Sequence, residues 1–145
     1  MASNLEKYGL ETICAPWNYL TVMSWNVFYR SEFLPELDCL TVEVRRELYA
    51  RVNLLEMRGP QLGRPTVDTL KGSSFPNMKE IRFNAEDGVW RFAFAFDSKR
   101  AAIVLCGGDK EGADQKAFYK ELIQKADSRF AAHLASHRKQ SGSKS

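Results

Sequence analysis

Residues 89–96, VWRFAFAF, alternate large and small side chains more regularly than any other stretch of the chain. This period of two puts Trp90, Phe92, Phe94 and Phe96 on one face of a strand, and Arg91, Ala93, Ala95 and Asp97 on the other. The run MKEIRFN precedes it through the connection AEDG, and AAIVLCGG follows it through DSKR. Short polar or glycine-bearing connections between apolar runs signal hairpins. Three consecutive antiparallel strands follow from this pattern. Their aromatic face must be covered by helices. The alanines make the opposite face shallow, and that face is expected to stay nearly bare.

The strand register brings charges together. With Ala85 to Gly88 as a four-residue turn, Asn84 pairs with Val89, Phe83 lies opposite Trp90, and Ile81 lies opposite Phe92. A slip of one residue would split this apolar set between the two faces. The same register sets Arg82 opposite Arg91 on the shallow face. Like charges across a ladder cost stability. A protein tolerates the pair if an anion sits between the two. The plainer reading gives each arginine a local carboxylate, and Glu80 is on the same face. Pairing the third strand through Asp97 to Arg100 puts Cys106 beside Arg91, with Lys110 just past the strand end. Two arginines and a lysine then converge near a helix N-terminus, a donor set suited to a nucleic-acid backbone.

The remaining segments frame this meander. YLTVMSWNVFYR, residues 19–30, favours a strand. SEFLPELDCL reads as a helix capped by Ser31, with Phe33, Leu34, Leu37 and Leu40 at helical spacing. A longer helix starts at Thr41 and ends at Gly59 and Pro60, and Val44, Leu48, Val52 and Leu55 form its stripe. Arg45, Arg46 and Arg51 lie off that stripe, as a solvated face or, more sharply, as RNA contacts. Residues 60–77 read as a loop. Lys71 in this loop and Lys79 beyond it are further cations, although the parity of Lys79 points to the core face or a frayed strand end. A last helix is expected from about Asp114 to 137, with Phe118, Leu122, Ala126 and Phe130 as its stripe. Residues 1–18 form an extension, residues 19–137 the domain, and residues 138–145 a basic, disordered tail.

Several functions are disfavoured. The stretch VLCGGDKEGADQK has neither the P-loop spacing G-x-x-x-x-G-K-[ST] nor G-x-G-x-x-G, and reads as a strand-to-helix turn. The net charge of +3 permits a nucleic-acid partner without requiring one. Three cysteines without a C-x-x-C pair argue against a zinc cluster or a disulfide framework and fit a reducing cytoplasm. No signal peptide or membrane span is legible. His133 and His137 stand four residues apart, but the sequence shows no third ligand, so no metal site and no cofactor are expected. Tyr119 either faces the shallow site or packs on the sheet.

The segments LGRPTVDTLKGSSFPNMKEIRF, WRFAFAFDSKRAAIVLCGGDK and FYKELIQKADSRFAAHL together resemble the RelE/ParE toxin superfamily, in its HigB-like, phage Gp49-related branch, over about residues 24–134. The resemblance implies an α+β, RelE-like small domain: a twisted, mainly antiparallel sheet with two N-terminal helices packed on one face and a C-terminal helix. It also implies the toxin of a type II toxin–antitoxin system, a metal-independent, ribosome-dependent mRNA endoribonuclease in the cytoplasm. The implied partners are mRNA, 16S rRNA near the decoding site, and a HigA-like helix-turn-helix antitoxin through which operator DNA is bound indirectly. Arg82 in EIR, Arg91 in WRF, Lys110 in GGDK and Tyr119 match functional positions of the family. Lys71, Lys79, Arg45, Arg46 and Arg51, read from the residues above, are the further candidates for RNA contact. Glu80 departs from RelE, which is basic there, and the central histidine of some HigB proteins is missing. Two alternatives stay open: a ParE-like gyrase poison that cuts nothing, and an inactive RNA-binding or interaction module.

Overall fold

The structure, a computed structural model, describes residues 24–143, with side chains through His137. The extension expected over residues 1–18 lies outside the described residues. β3 (Met78–Ala85) and β4 (Gly88–Phe96) pair antiparallel in the expected register, including Phe83↔Trp90, Ile81↔Phe92 and Arg82↔Arg91. Ala85 also pairs with Gly88. The turn therefore narrows to Glu86 and Asp87, whose φ angles of 51° and 62° are those of a primed hairpin turn that matches the strand twist.

β5 (Ala101–Asp109) follows antiparallel to β4. Two further strands close a five-stranded sheet of order β1-β5-β4-β3-β2. β1 (Asn26–Tyr29) runs parallel to β5, and β2 (Val67–Thr69) runs antiparallel to β3. β2 lies in the stretch read as a loop, because three residues at a sheet edge are too few to show a period.

The helices are α1 (Leu34–Asp38), α2 (Val42–Arg58) and α3 (Gln115–Ser143), the last continuing past its expected end at 137. Ser31 does not cap α1. The N-cap position falls at Phe33, and Pro35 fixes the first turn, where a missing N–H costs nothing. Thr41 caps α2 as expected: its hydroxyl oxygen accepts from the Val44 N–H at 3.3 Å and lies 2.7 Å from a Glu86 carboxylate oxygen, which ties the helix to the β3–β4 turn. Val44, Leu48, Val52 and Leu55 of α2, with Phe33 and Leu37, bury against Ile81, Phe83, Phe92 and Phe94.

The alanine face is not bare. α3 lies across it, with Leu122, Ala126 and Phe130 buried against Ala93, Ala95, Ile103, Leu105 and Cys106. Small side chains on this face make room for a helix rather than for a ligand.

The β4–β5 register also departs from expectation. Arg91 pairs with Gly108, and Cys106 pairs with Ala93. The connecting loop is longer than assumed: Asp97 N–H bonds the Ala101 carbonyl, and Arg100 takes a left-handed φ of 59°. A bulge then leaves Leu105 unpaired between the partners of Ala93 and Phe94. The two glycines of CGGD belong to β5 rather than to a turn. A Cβ on Gly107 would lie 2.0 Å from the buried Phe92 ring, so this glycine is where the ring packs on the backbone. The actual turn comes later, at Gly112, with φ of 73°. No described helix is long and apolar enough to cross a membrane.

Candidate active site

α3 covers the Ala93–Ala95 part of its sheet face and leaves a polar break at the end that carries Glu80, Arg82 and Arg91. Both arginines come from the β3–β4 cross-strand pair. Their charges are not left to an external anion alone. Arg82 Nη1 lies 3.1 Å from Asp68 Oδ2 and 3.7 Å from Glu80 Oε2. Arg91 is only 6% exposed; its Nε donates to the Tyr119 hydroxyl at 3.2 Å and its Nη1 to the Trp90 carbonyl at 2.9 Å. Arg91 is thus a buried support, while Arg82, with a side chain 28% exposed, faces solvent.

Glu80 is 5% exposed, and its Oε1 has no hydrogen-bond partner among the described residues. Burial pushes its carboxyl above the usual carboxylate range, although Tyr119, Arg91 and Arg82 oppose the shift. Burial, then the adjacent Glu80 charge, push the Tyr119 phenol up. Tyr119 fills both of its expected roles: its ring packs at the edge of the α3 core, and its hydroxyl enters the site.

Lys110 sits at the mouth of the site, in the connection between β5 and α3. Its Nζ donates to Gln115 Oε1 at 2.8 Å and lies 5.5 Å from the centre of the Tyr119 ring. Burial and the Arg91 charge push its ammonium down. The four expected catalytic residues, Arg82, Arg91, Lys110 and Tyr119, are therefore brought together. With Glu80, the set places one partly exposed guanidinium, Arg82, over a second, buried one, beside a carboxyl pushed up and an ammonium pushed down.

The expected RNA contacts do not join the group. Arg45, Arg46 and Arg51 sit on α2, across the sheet, where Arg45 reaches the Asp38 carbonyl, Arg46 pairs with Glu43 and Arg51 pairs with Glu47. Lys79 shows the core-face parity and bonds the Thr69 hydroxyl at 3.4 Å. Lys71 is exposed on a loop fastened to α3 through Ser73, Ser74 and Asp127. Asp68 and Arg64 are residues that the sequence reading missed. Arg64 Nη2 lies 2.9 Å from the same Asp68 oxygen that holds Arg82. Their only signal is the run RPTVD, which becomes legible once its last residues are known to form an edge strand.

Residues 35–131 match the sequence profile of the phage-derived Gp49-like proteins. The chain belongs to the Gp49-like family. It is 45% identical over 107 residues to HigB3, a candidate toxin of Mycobacterium tuberculosis, a match covering 71% of this chain and 91% of HigB3. It is 43% identical over 106 residues to HigB2, a second candidate toxin of that organism, covering 72% of this chain. The match spans about half, 51%, of the length of HigB2. A mutant of the E. coli toxin RelE in the free state superposes with a TM-score of 0.53 at 15% identity, covering 71% of this chain and 97% of that one. That likeness shows the fold: this Gp49-like, HigB-related chain has a RelE-like α+β scaffold.

Proposed function

We propose that this Gp49-like protein is a HigB-type toxin, an endoribonuclease that cuts mRNA on the ribosome and is neutralised by a helix-turn-helix antitoxin encoded with it. The observation that carries the reading is the convergence of Arg82, Arg91, Lys110 and Tyr119 around a buried carboxylate, at the end of the sheet face beside the N-terminal turns of α3. On this reading the toxin acts in the cytoplasm, meets 16S rRNA near the decoding site, and reaches operator DNA only through its antitoxin.

RNA supplies its own nucleophile. The 2′-oxygen attacks the adjacent phosphorus, its proton passes through Tyr119 towards Glu80, and the P–O5′ bond breaks. Lys110 gives a proton to the leaving 5′-oxygen. The products are a 2′,3′-cyclic phosphate and a 5′-hydroxyl. Arg82 binds the phosphate and its developing charge in place of part of its Asp68 contact. Arg91 fixes the phenol and adds positive charge from beneath. The lowered Lys110 and the raised Glu80 suit these roles, because each releases or accepts a proton more readily near neutral pH. Every step is met by side chains of the chain itself.

The test is brief induction in bacterial cells without antitoxin, with new 5′ ends mapped on a well-translated mRNA, beside Tyr119→Phe and Lys110→Ala. Cuts within the reading frame that vanish when the start codon is removed, and that fall at least tenfold in both folded variants, are the expected result. Growth arrest with intact mRNA and an induced DNA-damage response would overturn the reading in favour of gyrase poisoning. No arrest and no cuts would leave an inactive interaction module.

A further inference from the structure

We propose that Asp97, His133 and His137 form a divalent transition-metal site that clips the C-terminal half of α3 to the β4–β5 hairpin. The third ligand that the sequence does not show comes from the far end of β4. One ligand atom from each of the three residues lies within 4.8 Å of the others. His133 and His137 stand one helical turn apart, with ring centres 4.3 Å apart and planes at 73°. His133 Nε2 is already 3.3 Å from Asp97 Oδ2. That is the separation of about 3.3 Å between two ligand atoms around a tetrahedral zinc with bonds of about 2.0–2.1 Å. Only His137 has to close in.

The surroundings are built as a ligand shell. Asp97 Oδ1 accepts backbone N–H bonds from Lys99 at 2.9 Å and Ala101 at 3.1 Å, which turns Oδ2 towards the imidazoles. Bonds of this kind orient metal ligands. The His133 ring is stacked on Phe130, with centres 5.9 Å apart and planes at 15°. The Asp97 and His133 side chains are 7% and 12% exposed. A plain hydrogen-bonded Asp–His pair accounts for both of those, but not for His137. Its Nδ1 is shielded from solvent and finds no hydrogen-bond partner among the described residues. A metal ion explains the second imidazole. Arg30 acts on His133 from outside the set, but its guanidinium is held by Glu32 at 2.6 Å and 3.1 Å. Two imidazoles and one carboxylate suit Zn²⁺, Co²⁺ or Ni²⁺, with a fourth position for water. Asp97, the residue after β4, lies about 20 Å from Arg91 at roughly 3.3 Å per residue, so the clip is structural and separate from the cationic site.

The test uses the purified full-length chain, stripped with chelator and dialysed. Zn²⁺ binding is titrated by calorimetry and thermal unfolding is followed with and without Zn²⁺, beside His137→Gln, which leaves the His133–Asp97 pair in place. One equivalent of Zn²⁺ and a rise in Tm are expected for the native chain. The variant should melt like the native chain without metal, lose the rise, and bind at least about tenfold more weakly, since even lost second-shell partners cost about 10–100-fold. No uptake by the native chain, or equal uptake and equal shift in the variant, would overturn the site. Should the variant fail to fold, Co²⁺ added to the native chain decides. Visible absorption of a four-coordinate ion without thiolate charge transfer supports the clip. No such absorption, or a thiolate band placing the ion on a cysteine, refutes it.

Discussion

A carboxylate oxygen that is buried without a partner costs on the order of 1–3 kcal/mol. Glu80 carries one, one rung along the face from the Arg82–Arg91 pair. On the proposed reading that arrangement serves proton transfer. With its carboxyl held above the usual range, Glu80 accepts a proton only above that raised value. Single-turnover cleavage of ribosome-bound mRNA should therefore fall as pH falls, along a limb lying above the ordinary glutamate range. Glu80→Gln should reduce cleavage by about 10²–10⁴-fold and remove the limb. An unchanged pH profile in the folded variant would exclude Glu80 as the acceptor. The sign for stability is the reverse of the common carboxylate case. A raised folded value means that the Glu80 contribution is present at low pH and is lost as pH rises through it. Arg82 and Arg91 were legible because cross-strand pairing follows from a pattern of two. The carboxylates that balance them were legible only in part, since Asp68 reaches Arg82 through a strand with no period of its own.

At the scale of elements, the β3–β4 hairpin could be read to the residue because a wrong register would expose Ile81, Phe83 and Phe92. The β4–β5 hairpin could not, because apolar side chains continue through Leu105 and conceal the bulge. Two interactions now mark that bulge. Gly107 lets Phe92 lie on the strand, and Arg129 reaches the Leu105 carbonyl at 2.7 Å, which the bulge has removed from the regular ladder. Gly107→Ala should destabilise the fold by about 1–3 kcal/mol through overpacking, whereas Gly63→Ala, with no atom near the added methyl, should change it little. Thermal melts of the two variants compare them directly. Arg129 also holds Glu36 through contacts of 2.6 Å and 3.0 Å, and its charge and bonds depress the Glu36 carboxyl. A depressed carboxyl stabilises above its unfolded value, and that contribution is lost as pH falls through the folded one. Arg129→Met should cost about 1–2 kcal/mol at neutral pH, a modest figure because Glu36 is 39% exposed. The gap between native and variant urea midpoints should shrink as pH drops below the ordinary glutamate range. A gap that stays constant would mean that Arg129 stabilises through the Leu105 carbonyl and packing rather than through Glu36.

At the scale of the whole molecule, the sheet divides two cores. Helices α1 and α2 and the aromatic face form one; α3 and the alanine face form the other. Sequence periodicity located the first core and the stripe of α3, but not which surface that stripe would cover. Alanine on a strand face reads equally as an open floor and as a seat for a helix. The division makes a prediction about how stability and chemistry separate. Leu48 is fully buried in the α2 core, on the other side of the sheet from Arg91 and Tyr119. Leu48→Ala should cost about 2–5 kcal/mol of stability. Below its lowered melting temperature, cleavage per folded molecule should equal that of the native chain, because no residue of the site rests on Leu48. Tyr119→Phe should do the opposite, with most of the melting temperature kept and cleavage lost. Denaturation curves and ribosome-bound cleavage rates measured on the same preparations test both. If Leu48→Ala lowered the rate per folded molecule, the sheet would be transmitting strain from the α2 core to the arginines, and the two faces would be one mechanical unit.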